Sequence, residues 1–148
     1  MEAIAFLDLA GELLQERDNE AALRASIGRS YFALHNLIVE FCNEQQITLP
    51  NNYAKHGKIK LYLQHCGILE ISKIAPSLER LLKDRNDADY DMAMKRFKEP
   101  NVATLAYMRA KGAFHDFSSF VGTRKNRDKL KRGIKQYLDI FPSSTTLH

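Results

Sequence analysis

Apolar side chains recur every three or four residues over about five helical turns early in the chain, and this repeat constrains the fold more than any other feature. The repeat comprises Leu23, Ile27, Tyr31, Leu34, Ile38 and Phe41. A second flank, with Phe32 and Val39, is also apolar, so the helix predicted here, which extends to about Glu44, should lie centrally against several neighbours. Because no stretch alternates as a half-buried strand would, the sequence predicts an all-α fold.

Local signals predict helices on both sides of the central one. A first helix is expected over residues 2–15, and Asp18 or Asn19 can cap the long helix that follows. A third helix is predicted over residues 53–66, where Gly67 closes it.

The second half of the chain carries further helix signals. A fourth helix should start near Pro76, which suits a first turn, and Asn101 can cap a fifth. In that fifth helix Leu105, Met108 and Phe117 follow helical spacing. The last seven residues, PSSTTLH, are expected to be loose.

The composition is that of one globular domain in the cytoplasm. The 148 residues are 45% hydrophobic and 27% charged, and no run of about 18 apolar residues occurs. The acidic Glu2 and Asp8 stand where a secretory signal would be basic. The two cysteines, Cys42 and Cys66, have no zinc-ligand spacing, so neither a disulfide framework, a metal nor a cofactor is expected.

Basic charge is concentrated at the end of the chain. Residues 124–148 hold 7 basic and 2 acidic side chains, against 15 and 16 in residues 1–123, so a basic C-terminal helix and tail is distinguished from the preceding bundle. The cluster is either a solvated helix face or a phosphate-binding surface, and Ile134, Tyr137 and Leu138 give it an apolar side that can dock. The candidate nucleic-acid ligands in it are Arg124, Lys125, Arg127, Lys131 and Arg132.

The stretch LLKDRNDADYDMAM, from Leu81 to Met94, interrupts an apolar helix with polar residues. Arg85 and Asp89 are four apart, as are Asn86 and Tyr90 on the adjacent face, so one strip presents all four. From the residues alone this strip is either a solvated helix end or a site.

Two segments, RDNEAALRASIGRSYFALHNLI and LLKDRNDADYD, resemble the HEPN domains (higher eukaryotes and prokaryotes nucleotide-binding). The resemblance runs from about Ala5 to Phe120, about four fifths of the chain. It implies an up-and-down bundle of four to five helices, paired as a homodimer. It also implies a toxin-like or defence-linked role, with a nucleotidyltransferase or antitoxin as the associated protein.

Active relatives are metal-independent ribonucleases with an R-x(4–6)-H motif, and this chain departs from that motif. Five residues after Arg85 stands Tyr90, and a phenol is a poor base at its ordinary pKa of about 10. The resemblance still implies that Arg85 holds phosphate and that Asn86 positions a substrate oxygen. His35 is either a buried, hydrogen-bonded histidine or the missing base, if the fold brings it to Arg85.

Two functions remain open at this point. The first is binding of RNA or a nucleotide at a dimer cleft, where Arg85 holds the phosphate and Asp89 lies beside it as a second ligand-binding residue. Catalysis by Arg85, Asn86, Tyr90 and His35 is left undecided. The second is a non-catalytic module that binds a partner protein.

Overall fold

The computed structural model describes residues 2–142, which form seven α-helices and one 3₁₀ turn and contain no β-strand. The helices are α1 (Ala3–Leu13), α2 (Glu20–Glu44), α3 (Ala54–His65), α4 (Leu69–Ser72), α5 (Ile74–Tyr90), α6 (Pro100–Phe120) and α7 (Arg124–Ile140), and the 3₁₀ turn is Lys95–Lys98. The predicted all-α bundle is confirmed. In the described part of the chain no helix is long and apolar enough to cross a membrane.

Helix α2 forms the centre of the bundle, as its apolar repeat predicts. It packs against α1, α5 and α6 and also contacts α3. Ile27, Tyr31 and Leu34 on its repeat are fully buried. The predicted cap is also confirmed, because the side chain of Asn19 accepts a hydrogen bond from the backbone N–H of Ala22.

Two predicted helix starts were wrong by one or two residues. Helix α5 begins at Ile74 rather than near Pro76, directly after the short α4, which the sequence did not predict. Helix α6 begins at Pro100, with Glu99 at the N-cap and no side-chain capping bond, so Asn101 lies inside the helix. Proline lacks an N–H and has a helical φ, so it starts the first turn without a capping partner.

The buried face of α6 is made of small residues rather than the large ones that share helical spacing. Leu105 and Met108 are 63% and 57% exposed. Methyl side chains let α6 approach α2 closely, and Phe117 alone adds a large ring to this face. The alanines that form the face are Ala103, Ala106, Ala110 and Ala113.

The basic helix α7 docks on the bundle through its apolar side. Leu130 and Ile134 are buried in the common core, and α7 packs on α3. Gly133 lies so close to α3 that a Cβ there would come within 2.1 Å of the carbonyl oxygen of Cys66. The segment predicted to be loose lies, from residue 143 onward, outside the described residues.

Candidate functional site

Arg85 is largely buried, although it stands in the polar part of α5. Its side chain is 17% exposed. The guanidinium carbon lies 5.1 Å from the ring centre of Phe32 on α2 and 5.5 Å from that of Tyr90. Both aromatic faces attract the cation and fix its orientation.

Few of the hydrogen-bond donors of Arg85 are engaged by the protein. Nη1 donates to the side-chain oxygen of Asn86 at 3.0 Å. Nε lies 2.9 Å from a carboxylate oxygen of Asp89, an ion-pair distance, but its N–H is not aligned with that oxygen. A guanidinium has five N–H donors in a planar fork that matches phosphate oxygens. Arg85 therefore retains the capacity to bind an anion.

Beside this arginine is a pocket of about 350 Å³ between α2, α3 and α5. Its volume is at the lower end of the range for small-ligand sites, about 300–1,000 Å³. Asn86, which accepts the hydrogen bond from Arg85, forms part of the wall, so the arginine and the pocket are adjacent. The lining residues are Tyr31, His56, Gly57, Lys60, Leu78, Glu79, Leu82, Lys83, Asn86 and Asp87.

Opposite α5, two histidines and a tyrosine form a hydrogen-bonded chain. The hydroxyl of Tyr31 bonds to Nδ1 of His35 at 3.1 Å and also to Nδ1 of His56. The two imidazole rings stack with their centres 4.7 Å apart. His35 is 5% exposed, whereas Tyr31 and His56 line the pocket. The chain therefore connects the core to the pocket wall.

Burial keeps all three groups neutral, and nearby cations add to this effect for the two histidines. Burial, followed by the charges of His56, Lys55 and Arg85, lowers the pKa of His35 to about 4. The pKa of His56 is also lowered, by burial first and then by Arg85 and Lys55. Burial raises the pKa of Tyr31 well above its usual range. At neutral pH both imidazoles are therefore unprotonated bases.

The structure brings together some of the predicted site residues. Arg85 contacts both Asn86 and Asp89. His35 and Arg85 share the neighbour Phe32, whose ring centre lies 6.0 Å from that of His35 and 5.1 Å from the guanidinium carbon of Arg85. His35 is buried and hydrogen-bonded, as the first of its two interpretations predicts, and it does not line the pocket.

Tyr90, one of the predicted catalytic residues, lies at the end of α5. It is the last residue of α5, 73% exposed, and outside the pocket lining. Its ring covers the guanidinium of Arg85 from the solvent side of the helix end.

Sequence reasoning missed Tyr31 and His56. Tyr31 falls on the apolar repeat of α2 and so was assigned only to the core. His56 belongs to no motif that marks it as a site residue. Nothing in the local pattern indicates that the two residues, 25 positions apart, are hydrogen-bonded.

The end of α5 is held in place by a second arginine that the sequence analysis did not single out. Arg24 on α2 is 6% exposed and donates to the backbone carbonyls of Ala88, Asp91 and Met94 at 2.8, 2.9 and 3.0 Å. These bonds join the last turn of α5 and the following turn to α2. Arg24 therefore positions the segment that carries Arg85.

The cations of α7 do not line the pocket. Arg124 is 88% exposed and 4.0 Å from Asp128, and Arg127 donates from Nη1 to the carbonyl of Val121 at 2.9 Å. Lys125 and Arg132 are exposed, and Lys131 is half-buried. They form a separate solvent-facing surface.

Comparison with protein-family models, with curated proteins and with solved structures finds no match. Residues 2–142 contain no group of three or more His, Cys, Asp or Glu side chains that could hold a metal ion. Evidence for a function therefore comes from the chemistry of the pocket and from the two resembling segments.

Proposed function

We propose that this chain is a HEPN-type cytoplasmic protein that engages RNA or a nucleotide at the surface formed by Arg85 and the adjacent pocket. The observation that carries the proposal is the largely buried guanidinium of Arg85, stacked on aromatic rings and with donors left over, beside a pocket of nucleotide-like size. In this role Arg85 binds a phosphate and Asn86 orients both the guanidinium and the ligand.

The proposal extends to assembly and biological setting. Two copies pair so that Arg85 of each contributes to a common cleft, as the resemblance implies, and the protein acts as a toxin-like or defence-linked component. A solution mass of twice the 17.0 kDa chain is expected, and a monomer at all concentrations would contradict the shared cleft.

Binding of a labelled single-stranded RNA tests the function. Arg85→Ala should weaken the affinity about tenfold or more, because it removes charge-assisted hydrogen bonds to phosphate. Arg80→Ala is the matched control, since it removes the same charge from the same helix at a side chain that is 55% exposed. Equal affinity of Arg85→Ala and the wild type would refute the proposal.

The second candidate, a non-catalytic module that binds a nucleotidyltransferase or antitoxin, is favoured by a different observation. Tyr90 and Met92 at the end of α5 are 73% and 64% exposed, and exposed aromatic and apolar side chains are typical anchors for a protein partner. If RNA does not bind, and a nucleotidyltransferase encoded beside the gene binds the wild type but not Tyr90→Ala, the module function is correct.

A further inference from the structure

His56 is placed to exchange protons with whatever occupies the pocket. It lies in the first turn of α3 and lines the pocket, and its Nδ1 is bonded to the hydroxyl of Tyr31. Nε2, the other ring nitrogen, has no hydrogen-bond partner within residues 2–142. A histidine with one nitrogen fixed by the protein and the other free has a defined orientation and tautomer.

The hydrogen-bonded chain determines which tautomers can occur. The hydroxyl of Tyr31 has one hydrogen, so it donates to one of the two Nδ1 atoms and accepts from the other. When Tyr31 donates to His35, Nδ1 of His56 carries hydrogen and Nε2 of His56 has a free lone pair. In that arrangement Nε2 can take a proton.

The charged groups around His56 favour this free base. Lys55 on α3 and Arg85 on α5 both lower its pKa, and the buried His35 on α2 is held neutral. The remaining charges are two lysines and two carboxylates of the pocket wall, paired as Lys60 with Glu79 and Lys83 with Asp87. His56 is therefore an unprotonated base at neutral pH. A phenol still carries its proton at that pH, because its ordinary pKa is about 10.

We propose that His56 is the proton-transfer group of this site, that Tyr31 and His35 position it, and that it acts on the 2′-hydroxyl of a ribonucleotide whose phosphate is held by Arg85. The inference rests on the proposed function. Nε2 of His56 takes the proton of the 2′-hydroxyl, and the 2′-oxygen bonds to phosphorus. The bond from phosphorus to the 5′-oxygen then breaks, and His56 returns the proton to that oxygen. The products are a 2′,3′-cyclic phosphate and a free 5′-hydroxyl, with no metal and no water consumed.

The test measures binding and cleavage separately, with a labelled single-stranded RNA oligonucleotide in EDTA. His56→Ala should lose about 100-fold or more of the cleavage rate, far more than any change in its RNA affinity, and added imidazole should restore part of that rate. His115→Ala, which removes an exposed histidine from α6, is the control. The all-deoxy oligonucleotide should not be cleaved, because it lacks the 2′-hydroxyl.

The pH profile tests the positioning role of Tyr31. For the wild type, log kcat/KM should fall on the acid side only below the ordinary histidine pKa of about 6.5, since the pKa of His56 is lowered. Tyr31→Phe removes the hydroxyl, so the cleavage rate should fall and the acid limb should move, by more than any change in RNA affinity accounts for.

Each outcome distinguishes this inference from the proposed function. If the wild type binds and cleaves RNA and His56→Ala cleaves equally well, the inference is wrong and the proposed function stands. If the wild type binds RNA but leaves it intact, the inference is also wrong. If RNA does not bind at all, the proposed function fails and the inference fails with it.

Discussion

His35 is 5% exposed and its pKa lies near 4, so the folded protein keeps it neutral at pH values where the unfolded chain protonates it. The unfolded state therefore binds more protons below pH 6.5. The contribution of His35 to stability is complete above that pH and declines as the pH falls toward 4, by about 3 kcal/mol in all.

The acid dependence of unfolding measures this contribution. The free energy of unfolding of the wild type in urea should decrease between pH 6.5 and 4, and His35→Gln, which does not titrate, should show a smaller decrease. His115→Gln, at an exposed position, should behave as the wild type. An identical pH dependence in His35→Gln and the wild type would mean that burial does not lower this pKa.

Arg24 is a buried charged residue whose role is structural. Its guanidinium reaches backbone carbonyls at the end of α5, and lysine cannot reproduce the planar fork. Arg24→Lys should lower the free energy of unfolding by about 2–4 kcal/mol, because buried carbonyls lose their donors. Arg29→Lys on the exposed side of α2 is the control and should change stability by less than about 0.5 kcal/mol. Equal stability of the two variants would show that the turn after α5 does not need Arg24.

At the scale of the elements, two glycines in different helices should respond in opposite directions to alanine. A Cβ on Gly133 of α7 would overlap the carbonyl oxygen of Cys66, and backbone cannot move aside cheaply. A Cβ on Gly112 of α6 would meet nothing within 4 Å. Gly133→Ala should therefore lower the melting temperature, whereas Gly112→Ala should stabilise by about 0.5–1 kcal/mol through helix propensity. If Gly133→Ala is also stabilising, α7 does not dock on α3 as described.

The exposed face of α7 provides a test of whether its cations attract RNA. Substitutions on this face leave the side that docks on the bundle intact. Replacing Lys125, Lys129 and Arg132, all exposed, with glutamine should reduce the salt dependence of RNA affinity. The slope of log affinity against log salt should fall by about 0.7 for each cation that contacts a phosphate of a single strand.

A control for this experiment removes the same charge elsewhere. Arg17, Lys98 and Lys111 are exposed and lie outside α7. If replacing these three residues with glutamine reduces the salt-dependence slope equally, only the net charge of the protein matters, and α7 does not contact the RNA strand.

Elements that depend on local signals were predictable from the sequence, whereas helix faces were predictable only in part. The repeat of α2 and the stop at Gly67, which has a φ of 76°, depend on residues close together in the chain. The buried face of α6 does not depend on such local signals. It is formed by alanines, which let α6 pack closely on α2 but carry little hydrophobic signal. Leu105 and Met108 follow helical spacing and yet are exposed.

The contacts of the candidate site also include some that local spacing predicts and some that it does not. The pairing of Arg85 with Asp89, four residues further along α5, could be predicted from helical spacing. The bond from Tyr31 to His56 could not, because it depends on how α3 returns across α2 after the loop that contains Pro50.

On the scale of the whole molecule, the fold gathers groups from three helices that are far apart in sequence. Tyr31 comes from α2, His56 from α3 and Asn86 from α5, and together they line a single pocket beside the cation of Arg85. We propose that this pocket and Arg85 form the RNA or nucleotide site of the protein.

The most direct measurement is a titration of the ¹⁵N-labelled protein with a single-stranded RNA oligonucleotide, followed by backbone amide shifts. The largest changes should cluster on Tyr31, His56, Arg85 and Asn86 and disappear in Arg85→Ala. Shifts confined to α7, or to the exposed face of α6 around Leu105 and Met108, would contradict this assignment of the site.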